Sequence, residues 1–166
     1  MNLWFYSLNE LNFEALMTVY EEGNICNGAE RYPEESAMMQ KRLAEQDFED
    51  YLRQSFFRQP GASYCVYVEN GSYISAARVE PFDNGFLISG IETRPDCRRN
   101  GYGRKLMENL ILTCKGKGKL PIYSHVNERN VASMRLHLQC GFCVYKDTAR
   151  YLDGSVHSDS KTLIYE

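Results

Sequence analysis

The segment Thr93-Arg94-Pro95-Asp96-Cys97-Arg98-Arg99-Asn100-Gly101-Tyr102-Gly103 joins an apolar strand to a helix through a loop rich in arginine and glycine. Phe86, Ile88 and Gly90 alternate with Leu87, Ser89 and Ile91 as a strand does, Pro95 ends it, and Tyr102 to Cys114 has helical apolar spacing. The glycines therefore sit at a helix N-terminus. Unpaired backbone N–H groups and the positive end of the helix dipole favour an anion there, and glycine lets a phosphate approach the backbone closely. Arg98, Arg99 and Arg104 add charge-assisted donors.

Two phosphate-binding patterns are excluded by spacing. A Walker loop needs Gly, four residues, then Gly-Lys-Ser/Thr, which does not occur, and a dinucleotide fingerprint needs a third glycine where Gly101-Tyr102-Gly103 is followed by Arg104, Lys105 and Leu106. The pattern present is Arg-x-x-Gly-x-Gly. Downstream, Asn130, Ser133, Met134 and His137 share one face of a second helix that Gly141 stops.

The Arg98–Gly103 pattern, with its preceding strand and turn, resembles the pyrophosphate-binding motif of the GNAT superfamily of acyl-CoA-dependent N-acyltransferases. The Val126–Phe142 stretch resembles that superfamily's second cofactor motif, in the Ser-x-x-x-His form of phosphinothricin-type acetyltransferases: Ser133-Met134-Arg135-Leu136-His137. The resemblance implies acetyl-CoA as co-substrate, without a metal. It implies cofactor contacts from Arg98, Arg99, Asn100, Gly101, Tyr102, Gly103 and Arg104, from Asn130 and Ser133, and from backbone N–H groups near Ile91 and Thr93. It further implies that two central strands splay apart to admit the thioester.

An amine acceptor needs a base, and the departing thiolate can use an acid. Glu92, near the end of the central strand, is the leading base, although several branches place that carboxylate at positions filled here by Ile88 and Ser89; a surface carboxylate is the other reading. His137 stands where the family commonly has a Tyr acid. It is either that acid or a partly buried imidazole bonded to a carbonyl. Tyr102 and Tyr145 are reserve acids. Cys140-Gly141-Phe142-Cys143 has redox spacing, but it closes a helix, where the dipole raises a thiol pKa, and no second pair completes a zinc site.

With 166 residues, 43% of them hydrophobic, the chain suits one domain over 1–166. The expected order βααβββαβαββ is an α/β, GNAT-like mixed architecture: a mostly antiparallel central sheet with helices on both faces. Strands are expected over Leu3 to Tyr6, Tyr64 to Val68, Tyr73 to Val79, Phe86 to Thr93, Pro121 to Val126, Phe142 to Tyr151 and Lys161 to Tyr165. Ser7-x-x-Glu10 resembles a capping box for a helix ended by Gly23, a loop runs from Asn24 to Tyr32, and Pro33 opens the next helix.

The short apolar start Met1–Tyr6 lacks a basic region and no run reaches membrane-spanning length, so a soluble cytoplasmic protein with six free cysteines is expected, without a membrane partner. Residues 1–57 carry 11 acidic and 4 basic side chains, net −7, whereas residues 94–119 carry 8 basic and 2 acidic, net +6. That compact basic block suits the phosphates of coenzyme A better than nucleic acid. The expected acceptor is a small-molecule or peptide amine. Glu21, Glu22, Glu30, Glu34 and Glu35 hint at a cationic one. A monomer or homodimer is expected, and an acyl-CoA-binding module with weak turnover, acting as a sensor or interaction domain, is the alternative function.

Overall fold

The computed structural model describes residues 1–166. Nine strands form: β1 (Asn2–Phe5), β2 (Ser63–Glu69), β3 (Ser72–Phe82), β4 (Gly85–Thr93), β5 (Ile122–Asn127), β6 (Cys143–Lys146), β7 (Ala149–Arg150), β8 (Val156–His157) and β9 (Ser160–Tyr165). Five α-helices accompany them: α1 (Phe13–Val19), α2 (Glu21–Arg31), α3 (Ala37–Gln54), α4 (Tyr102–Gly116) and α5 (Val131–Gln139). Seven strands make one sheet in the order β1-β2-β3-β4-β5-β9-β6. Only β4 and β5 pair in parallel, connected through α4, and every other pairing is antiparallel.

Strand alternation gives the sheet two apolar faces, and each has its own core. Cys65, Ala77, Val79, Ile88 and Ile122 pack against Leu106, Met107, Leu110 and Cys114 of α4. Tyr64, Val66 and Ala76 pack on the opposite side against Leu16 and Val19 of α1 and Leu52 of α3. Neighbouring residues such as Ala76 and Ala77 thus serve different cores, and a central sheet covered on both faces follows.

The N-terminal third departs from the expected elements. Ser7 makes no side-chain cap, and Glu10 accepts from the Tyr6 N–H at 2.9 Å. The cap of α1 is Asn12, whose Oδ1 accepts from the Ala15 N–H at 3.0 Å. Gly23 does not end a helix. The chain bends at Tyr20 instead, and α2 occupies most of the expected 24–32 loop. Two things favour the bend: Glu21 and Glu22 complement the dipole in the first turn of α2, and the Tyr20 ring is held by Phe48 and Tyr64. Pro33 lies in a turn, and Ser36 caps α3.

At the other end, the single strand expected from Phe142 to Tyr151 is split. β6 leaves the sheet after Lys146, and β7 and β8 form a small hairpin around Asp153-Gly154, where Asp153 accepts from the Ser155 N–H at 2.9 Å. The observed order therefore has a third N-terminal helix and an added hairpin, on the expected mostly antiparallel sheet.

Thermal or denaturant unfolding distinguishes the two caps: Asn12→Ala is expected to cost about 1 kcal/mol, and Ser7→Ala less than about 0.5 kcal/mol.

Candidate active site

Pairing between β4 and β5 stops short. Phe86, Leu87 and Ile88 oppose Ile122, Tyr123 and Ser124, but β4 continues to Thr93 and β5 to Asn127 without pairing to each other. The strands part after Ile88 and Ser124, which is the expected splay. At the same point β4 carries an extra residue: Ser89 opposes Arg78 and Glu92 opposes Ala76, three steps on β4 against two on β3. Gly90 lies in this bulge with φ +56, a conformation that favours glycine.

The bulge decides which side chains meet. Residues three apart on a regular strand face opposite sides, but here Ser89 and Glu92 both join the face of Arg78 and Ala76, toward α1–α3. Ile91 packs on the α4 side. Glu92 borders two clefts, one beside α4 and α5 and one between β4 and α2–α3.

The first cleft, about 610 Å³, is lined by Ile91, Thr93, Arg98, Arg99, Gly101, Tyr102, Gly103, Arg104, Asn130 and Ser133. Gly101, with φ +77, begins α4, and the first α-helical bond runs from the Lys105 N–H to its carbonyl. The N–H groups of Tyr102, Gly103 and Arg104 therefore have no acceptor within the helix. Asn100 does not line this cleft. Its Nδ2 donates to the carbonyls of Cys97 and Arg98, both at 3.2 Å, so it organises the loop.

The basic side chains are unequal. Arg98 lies 2.5 Å from Glu22 and 3.7 Å from Glu92, and its Nε donates to the Thr93 carbonyl at 3.2 Å. Arg104 pairs with Glu108 at 2.7 Å, while Arg99 is exposed. Glu21 is held by Lys41, and Glu30, Glu34 and Glu35 border none of the clefts described here. Of the acidic residues expected to attract an acceptor, only Glu22 reaches the site, and it does so on the cofactor side.

His137 is corrected by its position. It is 0% exposed and lines no cleft; its Nδ1 lies 2.8 Å from the Ser133 carbonyl and its ring packs edge-on against Phe142. Burial pushes its pKa below the usual 6.5, against the opposing effect of that hydrogen bond. The imidazole is part of the α5 packing, with Nε2 buried and without a partner. The reserve tyrosines are no better placed: Tyr102 donates its hydroxyl to Glu69, and Tyr145 is exposed on β6. All six cysteines are free, and burial raises the Cys140 thiol pKa.

Burial also raises the Glu92 carboxyl pKa, with Arg98 opposing and Glu22 reinforcing the shift. A second carboxylate was hidden from the sequence. Glu80 on β3 is 3% exposed and accepts from Ser89 Oγ at 3.2 Å and Gln59 Nε2 at 3.3 Å. A carboxylate thus reaches the Ser89 position from the neighbouring strand, and burial raises its pKa too. Only the cross-strand register, not any motif, brings Glu80 there.

Above the second cleft, about 470 Å³, the Tyr20 hydroxyl donates to the Gly90 carbonyl at 2.5 Å and accepts from Tyr64 at 2.9 Å. These bonds tie the α1–α2 bend to the bulge.

A sheet opened between parallel central strands, with an anion-binding helix start at the opening and a carboxylate between two clefts, defines a coenzyme A-dependent acyltransferase. The family model for the acetyltransferase (GNAT) family matches residues 24–142, and the chain belongs to that family. No curated protein matches the sequence. Its fold is similar to that of the PaiA N-acetyltransferase from Thermoplasma acidophilum in complex with coenzyme A, at 15% identity and TM-score 0.64, covering 100% of this chain and 99% of the other. It is also similar to the ribosomal-protein-S18-alanine N-acetyltransferase from Escherichia coli, at 20% identity and TM-score 0.60, covering 99% and 92%. An IAA acetyltransferase from Bacillus cereus ATCC 14579 matches at 15% identity and TM-score 0.61, covering 99% and 97%.

The buried imidazole has a sign-definite consequence. Because folding lowers its pKa below 6.5, the unfolded chain takes up a proton first as pH falls, so stability is present above about 6.5 and is lost between that value and the folded pKa. Melting curves between about pH 5 and 7 are expected to show His137→Gln less stable at the upper end and with a flatter dependence than the parent. The variant is also expected to leave the shape of the kcat–pH profile unchanged, whereas replacing a general acid would alter it.

Proposed function

We propose that the protein, as one catalytic domain over residues 1–166, acetylates the primary amine of a small molecule by direct attack on the thioester. The observation that carries this reading is the parting of β4 and β5 after Ile88 and Ser124, which brings Glu92 to the border of both clefts. Acetyl-CoA supplies an acyl group activated as a thioester.

The chain's own residues divide the remaining work. The N-terminus of α4, with Arg98 and Arg99, holds the pyrophosphate, while Asn130 and Ser133 border the path of the pantetheine arm. Arg98 exchanges its contact with Glu22 for phosphate oxygens. Backbone N–H groups near Ile91 and Thr93 face the thioester carbonyl and stabilise the charge that develops on its oxygen. Glu92 takes a proton from the ammonium group, the amine nitrogen attacks the thioester carbon, the carbon–sulfur bond breaks, and the second nitrogen proton passes through solvent to the released thiolate. The thiolate can leave without an obligatory side-chain acid, which agrees with the burial of His137. The six unpaired thiols suit a reducing, cytoplasmic setting.

A protonated Glu92 cannot accept the amine proton, so its raised pKa moves the acid limb of activity upward. Activity is expected to fall as pH drops through that pKa. In a thiol-release assay over a panel of amines, Glu92→Gln is expected to lower kcat/KM by about 10²- to 10⁴-fold and to remove this acid limb. Acetyl-CoA binding without any amine-stimulated CoA release would overturn the enzyme reading in favour of an acyl-CoA-binding sensor.

A further inference from the structure

Arg78 is the charged side chain of this site that the proposed chemistry leaves unused. It projects from β3 on the same face as Glu92 and borders two clefts, the one beside Glu92 and a second of about 610 Å³ that reaches Glu80 and His125. Its guanidinium carbon lies 5.3 Å from the Tyr51 ring centroid and 5.8 Å from that of Phe48. These stacking contacts fix the plane of the fork without neutralising it. Its Nε is buried and has no hydrogen-bond partner, and no carboxylate lies within 4.0 Å of its nitrogens. Glu80, on the same strand face, is hydrogen-bonded to Gln59 and Ser89 and acts on Arg78 only through its field, from beyond ion-pair distance. The other groups around it, Tyr20, Tyr51 and Tyr64, are uncharged at neutral pH.

Gly90 contributes to this arrangement as well. A Cβ there would lie 2.8 Å from an Arg78 terminal nitrogen, so the bulge that opens the sheet also makes room for the guanidinium. A guanidinium with a buried, unpartnered Nε and no carboxylate at ion-pair distance leaves donors for a ligand to take. The other ion pair of the cleft, Arg31 with Asp47 at 3.0 Å, is already neutral.

We propose that the acceptor carries a carboxylate as well as its amine, and that this carboxylate docks on Arg78 while the amine faces Glu92. Glu92 opposes Ala76, two positions from Arg78 on β3, so both side chains line one cleft of about 470 Å³. A cleft of that volume suits an amino acid or a similarly small amino-carboxylic acid. Glu21, Glu22, Glu30, Glu34 and Glu35 hint, in the sequence, at a cationic acceptor. These acids turn outward or pair with basic side chains, whereas the charge within the acceptor cleft includes an unpaired cation.

The inference rests on the acetyltransferase reading, and matched substrates separate the two. Thiol release is measured with α-, β- and γ-amino acids, with the corresponding carboxamides, and with dipeptides that have free C-termini. For at least one amine, the unaltered protein is expected to prefer the free acid over its amide by about 10- to 100-fold in kcat/KM. Arg78→Gln is expected to erase that preference mainly through a higher KM for the acid, and Arg78→Lys to restore part of it.

Equal use of acid and amide by the unaltered protein, or an equal loss for both in Arg78→Gln, overturns the inference while leaving the acetyltransferase reading intact. Preference for dipeptides over free amino acids places the carboxylate at a peptide C-terminus. If no amine stimulates CoA release, the enzyme reading fails; calorimetric titration of the same acids and amides onto the acetyl-CoA-loaded protein then decides the inference, with equal or absent binding of the acids overturning it.

Discussion

The extra residue in β4 at Gly90 and Ile91 is the constraint on which the site depends. One added residue shifts the register so that Ser89 and Glu92 share a face, and it coincides with the point where β4 and β5 cease to pair. Remove it, and strand alternation would turn Glu92 toward α4, away from the acceptor cleft. The bulge is held by contacts from distant parts of the chain. Tyr20 donates to the Gly90 carbonyl from seventy residues away, and the Arg78 guanidinium occupies the space that a Gly90 side chain would fill.

The two clefts lie on different cores of the same sheet. On the α4 side the backbone does most of the work, because a helix N-terminus presents N–H groups whatever the side chains are. On the α1–α3 side the cleft is lined by side chains from distant elements, among them Tyr20 from the α1–α2 bend, Asp47 from α3, Arg78 from β3 and Glu92 from β4. Glu22 and Arg98 connect the sides, since an acid of α2 pairs with an arginine of the phosphate loop.

Much of the cofactor side was legible in the sequence. Arg98-x-x-Gly101-x-Gly103 lies at the start of α4, and Asn130 and Ser133 open α5 beside it. The misreadings have physical causes. Gly23 ranks low in helix propensity, yet α2 runs through it because the preceding bend is anchored at Tyr20 by aromatic packing and two hydroxyl bonds. His137 occupies the helical position expected of an acid, but position on a helix does not reveal what packs over it, and the Ser133 carbonyl with Phe142 accounts for its ring. Asn100 was grouped with the phosphate contacts because it lies in the motif; its amide instead closes the turn before α4.

The sequence by itself determined what depends on near neighbours: the strand–glycine–helix unit, the second helix stopped at Gly141 and the basic block around the glycine loop. Each follows from periodicity, positive φ or the helix dipole within about a dozen residues. Only the tertiary structure decided which acids and bases meet. Glu80 at Ser89, Arg78 beside Gly90, Glu22 on Arg98 and the burial of His137 depend on cross-strand register and on how helices cover the sheet. Those arrangements arise from packing across elements far apart in the chain, and no local pattern of residues records them.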